Sequence, residues 1–272
     1  MLGKLIKHEW KAIWKFLLAM IIFNLAITLV GVLGLLFSPD MTASDPPPIY
    51  IIFIIAYVST YFLGMAAVFF GSLIYLGSRF YRSMYGAEGY LTHTLPATPL
   101  QLITAKTIVA TLMLIINGLL LCLSGCALAV SLAASLGETI PWNAMMVALT
   151  DPSFTGGTPI IVYIILYLVM LLIGLITSIL MIYASASLGQ LFNKHRVLGS
   201  VGIYFGLSMA MQITMTVLMI ASVSIMVNLD GYNQSSDNFL STFIQSTIAT
   251  ALYGFVFFII TYAITKKKLN LE

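Results

Sequence analysis

Charge is what this chain has least of. Among 272 residues only 12 are Lys or Arg and 9 are Asp or Glu, so 8% of the side chains are charged. Soluble domains carry about 25%. A mean hydropathy of +1.04 agrees that a water-exposed surface cannot be built from this composition. Cysteine is nearly absent too. Cys122 and Cys126 sit four apart in an apolar run, on one helix face where a disulfide is geometrically poor, and they read as small packing residues. The three histidines, His8, His93 and His195, are too scattered for a metal site. There is no G-x-x-x-x-G-K-[ST], so this chain does not itself cradle ATP through a P-loop. H-E-x-x-H, G-x-S-x-G and a paired intramembrane Asp are missing as well. Enzymatic chemistry therefore ranks last among the functional classes, and no metal or cofactor is expected on this chain.

What the chain has in abundance is uninterrupted apolar sequence. Six runs lack any charged residue: 16–37, 49–77, 107–136, 159–190, 197–227 and 239–265. A helical crossing of the hydrocarbon core needs about 20 such residues, and each central Lys, Arg or Asp would cost about 2.5–3.5 kcal/mol. Membrane β-barrels instead alternate in segments of about ten residues, and no such alternation is present. The expected fold is an all-α polytopic membrane protein with six transmembrane helices in a single domain. No repeat of 20–50 residues and no inverted symmetry between the halves is visible.

The loops orient it. Basic residues fall in four clusters: Lys4, Lys7, Lys11 and Lys15; Arg79, Arg82 and Lys106; Lys194 and Arg196; and Lys266, Lys267 and Lys268. The alternate loops hold Asp40, Asp45, Glu138, Asp151, Asp230 and Asp237 with no Lys or Arg. That is a positive-inside pattern, which places both termini in the cytoplasm and agrees with an even number of spans. The net charge of +3 follows from this topology, and no nucleic-acid partner is implied.

Residues 2–15 have their own pattern. At 100° per residue Lys4, Lys7, His8, Lys11 and Lys15 share one face, and Leu2, Ile6, Trp10, Ile13 and Leu17 share the opposite one. Trp10 and Trp14 suit the boundary between headgroups and acyl chains. This predicts an amphipathic interfacial helix on the inner leaflet that turns into the first span; the alternative is a basic flank that only sets topology. Glu9, inside the apolar sector, is the misfit. The segment lacks an A-x-A-like site after its apolar run, so it is not expected to be a cleaved signal peptide.

Inside the spans, polarity is mild. Asn24, Thr28, Asn117, Gln212 and Met215 form a candidate substrate path, the thioether suiting amphipathic ligands; the alternative is interhelical hydrogen bonding with Met facing lipid. Ion-coupled transporters normally carry an ionisable residue within the membrane. None occurs in these runs, which argues against proton or cation coupling. Small residues recur at Ala67/Gly71, Ser185/Gly189 and Gly202/Gly206. That spacing permits close helix approach, ordinarily within a chain and otherwise at a dimer face.

One polar segment interrupts the pattern: FYRSMYGAEGYLTHTLPATPLQLITAK, Phe80–Lys106. Within it Thr98-Pro99-Leu100-Gln101 combines an N-cap Thr, a Pro at the first helical position and a Gln three residues after the cap. A helix is predicted from Thr98 through Lys106 into the third span. Upstream, the second span is predicted to continue past Arg79 and Arg82 to a stop at Gly86. Between them Tyr90, Leu91 and Leu95 read as apolar knobs on a short helical turn. They mark a protein contact or else fold back onto the membrane surface.

The stretch G-A-E-G-Y-L-T-H-T-L-P-A-T-P-L-Q-L-I-T-A-K resembles the cytoplasmic loop of type-2 ABC transporter permeases of Gram-positive bacteria, in which E-G-Y-L-T-x-T-L-P precedes a Leu-rich helix and Lys. The likeness extends more loosely over the whole chain, to the K-H-E-W-K amino-terminal segment, the six spans and the short basic loop at 193–196. It implies a permease subunit in the bacterial plasma membrane, most simply an exporter. Such a subunit pairs with a second permease protomer and with two copies of a separate ATP-binding subunit, on which ATP and Mg are bound. It also implies that residues 2–15 form an elbow helix and that residues 79–106 form the coupling loop. Tyr85, Gly86, Glu88, Gly89, Tyr90, Leu91, Thr92, His93 and Leu95 would dock on the ATPase. Glu88, the loop's only acid, would pair with an ATPase arginine or internally with Arg79 or Arg82. The family's reentrant outer helices before the last span are not evident in this sequence. Two other classes stay open: an ion-coupled secondary transporter, and a non-transporting immunity or sensor component of the membrane.

Overall fold

The computed structural model describes residues 2–36, 48–86, 88–89, 97–135, 137, 141–143, 146–147, 160–192, 195–230 and 235–267. Among these residues there are no strands and six long helices. They are α1 (Leu2–Leu36), α2 (Pro48–Met84), α3 (Pro99–Ser135), α4 (Ile160–Gly189), α5 (Arg196–Asp230) and α6 (Ser235–Lys267). Each is long and apolar enough to cross a membrane. This is a multi-pass, all-helical membrane protein.

Lipid supplies no backbone partners, so a spanning segment must satisfy its own N–H and C=O groups, and polar side chains obey the same rule. Thr28, Ser59, Thr60, Thr107 and Thr216 each return a hydroxyl to the carbonyl four residues back. These hydroxyls are spent within their own helices, which is why so many Ser and Thr are tolerated in the runs.

The amino-terminal segment differs from expectation. Residues 2–15 and the first span form one uninterrupted helix of 35 residues, with no turn between an interfacial part and a spanning part. No Pro or Gly separates Gly3 from Gly31, so nothing breaks the backbone ladder. At 1.5 Å per residue the helix is about 52 Å long, well beyond a hydrocarbon core of about 30 Å. The expected facial division does appear: Lys4, Lys7, Lys11 and Lys15 are exposed, whereas Ile13 and Leu17 are buried. Trp10 is half-buried, Trp14 is exposed, and their rings lie 6.1 Å apart.

The chain divides into two compact units. One comprises 3–75 and 108–142, which is α1 with most of α2 and α3. Its core is Leu35, Tyr61 and Leu128, flanked by Ile27, Ile54, Tyr57, Met65 and Leu132. Glycine makes the close approaches, as expected where lipid gives no hydrophobic drive between helices. A Cβ on Gly31 would collide with the Tyr57 hydroxyl, and one on Gly64 would come within 2.7 Å of Ile27. Phe16 stacks on Tyr75 with centroids 3.6 Å apart. Asn117 Nδ2 donates to Ser72 Oγ at 2.8 Å, and Ser72 donates on to the Val68 carbonyl at 2.7 Å. Gly137, at φ 69°, comes just after the end of α3 in the left-handed conformation suited to a helix stop.

The other unit holds 76–107 and 143–272 (with residues 1–2), so α4, α5 and α6 join the tail of α2 and the head of α3. Leu180, Met181, Ala184 and Phe257 form its core, covered by Tyr204, Leu207, Met211, Tyr253, Phe258 and Ile260. Helices are tied across by polar bonds: Thr177 Oγ1 donates to the Thr250 carbonyl at 3.1 Å, and the Tyr253 hydroxyl to Thr214 Oγ1 at 2.7 Å. At the turn from α4 to α5, Gly189 lies against Ser200, and a Cβ on Gly199 would come within 2.8 Å of the Phe192 ring. Ser185/Gly189 spacing thus serves packing within the chain. Gly202 and Gly206 do not: no side chain or other element comes within 4 Å of a Cβ built on either.

Candidate functional site

The polar segment that interrupts the apolar pattern lies between the tail of α2 and the head of α3. At the α3 end the reciprocal cap is present. Gln101 N–H donates to Thr98 Oγ1 at 3.4 Å, Thr98 N–H donates to Gln101 Oε1 at 3.3 Å, and Leu102 N–H reaches the Thr98 carbonyl at 3.1 Å. Pro99 opens the helix, and its missing N–H is one that a first turn cannot use. From there α3 runs unbroken for 37 residues.

At the α2 end the helix continues past the apolar run 49–77 to Met84. It is closed by Tyr85 N–H and Gly86 N–H, both donating to the Tyr81 carbonyl at 2.9 and 3.1 Å. The stop therefore falls at the expected glycine. The residue just before it departs from expectation. Tyr85 is fully buried, and its hydroxyl donates to Ser187 Oγ on α4 at 2.8 Å and lies 3.2 Å from Thr265 Oγ1 on α6. Ser187 passes its own proton to the Tyr183 carbonyl, and Thr265 to the Thr261 carbonyl, both at 2.8 Å. One phenol thus joins the ends of three helices. Burial pushes the Tyr85 phenol above its usual range, and its contacts with Ser187 and Thr265 pull the other way more weakly.

Around this bridge the packing is aromatic. Phe80 stacks on Tyr183 with centroids 3.9 Å apart and planes 12° from parallel, and it meets Tyr85 edge-on at 6.1 Å. Lys106 lies inside the site: it is 6% exposed, and its Nζ donates to Ser83 Oγ at 2.8 Å. The Tyr183 hydroxyl reaches the Lys106 carbonyl at 3.4 Å. Ordinary topology anchors stay at the exposed rim, as Arg82 and Lys266 do. Just past the end of α4 and three residues beyond Ser187 sits Gln190, 3% exposed, and neither atom of its side-chain amide has a hydrogen-bond partner among the described residues.

This geometry corrects part of the docking set. Tyr85 and Gly89 are buried and Gly86 half-buried, so Tyr85 anchors the loop from within and offers no surface to a second chain. Glu88 is exposed. Tyr90, Leu91, Thr92, His93 and Leu95 lie outside the described residues. The candidate path falls into two groups. In the unit of α1–α3, Asn24 is buried, its carbonyl accepts from Thr28 at 2.8 Å, and Asn117 is engaged with Ser72. In the unit of α4–α6, Gln212 is exposed on α5 with its amide donating to Ser208 Oγ at 3.2 Å, and Met215 is half-buried.

Compared with family models, curated proteins and solved structures, the chain matched none. Ser83, Tyr183, Ser187 and Thr265 are not conspicuous in the sequence, because each is an ordinary polar or aromatic residue in or shortly after an apolar run. Only the coincidence of Gln190 and Thr265 with the ends of the runs 159–190 and 239–265 hints at the site.

Proposed function

We propose that this chain is the membrane-spanning permease subunit of a type-2 ABC transporter, an exporter in a bacterial plasma membrane with both termini in the cytoplasm. Two permease protomers pair with two copies of a separate ATP-binding subunit, which binds ATP and Mg. Closure of the ATPases pushes on the connection between α2 and α3 and switches the spans between inward- and outward-facing states. The observation that carries this reading is that the connection is anchored by hydrogen bonds at both ends. Thr98 caps a helix that continues into the membrane without a break, and Tyr85 locks the other end onto α4 and α6. A lever needs stiff arms, and a mere tether between spans needs neither the cap nor the lock. The E-G-Y-L-T-H-T-L-P pattern between these anchors supplies the resemblance, and the charge-free apolar runs turn the reading away from ion coupling.

The test is co-expression with candidate ATPases. Tyr90→Asp with Leu91→Asp is expected to abolish copurification of the ATPase and its stimulation by the permease. If complex and stimulation both survive, the docking role is wrong.

A further inference from the structure

The Gln190 amide is out of keeping with its surroundings. A buried amide offers two donors and an acceptor, and leaving them unmade is costly in a low-dielectric interior. Its neighbours on α4 are fully engaged. Tyr183 and Ser187 share one face of α4 at positions i and i+4, and Gln190 follows three residues later in the turn that closes the helix, its N–H donating to the Ser187 carbonyl at 3.3 Å. Tyr183 stacks on Phe80, and Ser187 accepts from Tyr85. Of the three side chains only that of Gln190 is unused among the described residues.

Counting hydrogens shows which partner is free to move. Ser187 and Thr265 donate to the carbonyls of Tyr183 and Thr261 in their own helices. Neither donor depends on Tyr85. If Tyr85 left, both hydroxyls would keep those bonds, and only the phenol would need a new acceptor. Gln190 Oε1 is such an acceptor, three residues further along the chain. The two arrangements have opposite merits. The present one keeps the Phe80–Tyr183 stack and the bond from Lys106 to Ser83 and leaves Gln190 unsatisfied. The other gives the Gln190 oxygen a donor, leaves its N–H groups as they are, and gives up the stack and the Lys106 bond. An element with two such packings is bistable rather than continuously deformable.

We propose that Gln190 is the second resting place of the Tyr85 hydroxyl, so that the tail of α2 has two registers against the end of α4 separated by three residues, a little under one helical turn. Three residues at 1.5 Å rise correspond to a shift of about 4.5 Å. The joint rests on the geometry. Its use, passing ATP-driven motion of the loop to α4 and α6, rests on the permease reading.

Two measurements on the full chain in lipid nanodiscs test the joint without any ATPase. In a Cys122→Ala/Cys126→Ala background, spin labels at Arg82→Cys and Phe192→Cys are expected to give two distance populations. Adding Gln190→Leu should leave the one matching the present structure. A single population unmoved by Gln190→Leu overturns the proposal. Gln190→Leu alone should raise the thermal midpoint by about 2–4 °C, the response of a chain this size to about 1 kcal/mol. A fall would mean the amide is satisfied where it sits, and overturns the proposal equally. Loss of the ATPase docking result would sink the permease reading and leave both measurements standing.

Discussion

The two units of this protein solve the same problem in different ways. In the unit of α1 to α3, the helices meet chiefly by apolar packing and by glycines that admit a neighbour's side chain, as Gly31 admits Tyr57 and Gly64 admits Ile27. A side-chain bond from helix to helix there joins Asn117 to Ser72. The hydroxyls of Tyr57 and Tyr61 are buried without a hydrogen-bond partner among the described residues. In the unit of α4 to α6, helices are joined by polar bonds between side chains far apart in sequence: Tyr85 with Ser187 and Thr265, Lys106 with Ser83, Tyr253 with Thr214. Packing by shape tolerates little substitution and specifies one distance between helices. Packing by exchangeable hydrogen bonds permits more than one register. The difference places stiffness in the first unit and adjustability at the loop end of the second.

The comparison breaks first at Gly31. Gly31→Val puts atoms where the Tyr57 hydroxyl lies, and overpacking of this severity is expected to cost about 3 kcal/mol, read as a lowered midpoint in SDS titration. A loss below about 0.5 kcal/mol would show that α1 and α2 are not held by close approach.

Tyr85→Phe is the intermediate case. It deletes the hydroxyl and keeps the ring, so the expected cost is about 1–2 kcal/mol. It also carries a pH signature. The folded phenol titrates above its usual value because burial disfavours the anion. The stability it contributes is therefore complete below the unfolded value of about 10 and is lost as pH rises through the higher folded value. The native chain should lose stability above about pH 10 by an amount that the Phe variant does not show. Equal alkaline loss in both would remove Tyr85 as its source.

Asn117→Leu is the smallest. Ser72 keeps its bond to the Val68 carbonyl, so only one interhelical bond is lost, worth about 0.6 kcal/mol on average between membrane helices. A cost above about 2 kcal/mol would mean that polar bonding matters as much in this unit as in the other.

Much of this is legible in the residues. The apolar runs predict six helices, because lipid imposes a length and a composition that few other structures share. The cap at Thr98 is legible because all its partners lie within four residues. The break expected after Lys15 does not materialise: an amphipathic pattern describes faces and says nothing of a bend, and no residue there forces one. The site is the least legible part. Tyr85 meets partners 102 and 180 residues away, and no local signal distinguishes a tyrosine turned inward from one turned out. Lys106 reads as an exposed anchor in the sequence for the same reason. Charge count locates a loop, but burial of one lysine depends on whether another helix offers it a hydroxyl.

The turn joining α4 to α5 has a mechanical consequence. With Gly189 set against Ser200 and Gly199 against Phe192, there is no slack for one helix to travel past the other at that end. The pair behaves as a stator: a fixed frame, its spacing set by two missing side chains, against which a neighbouring helix end has something to push.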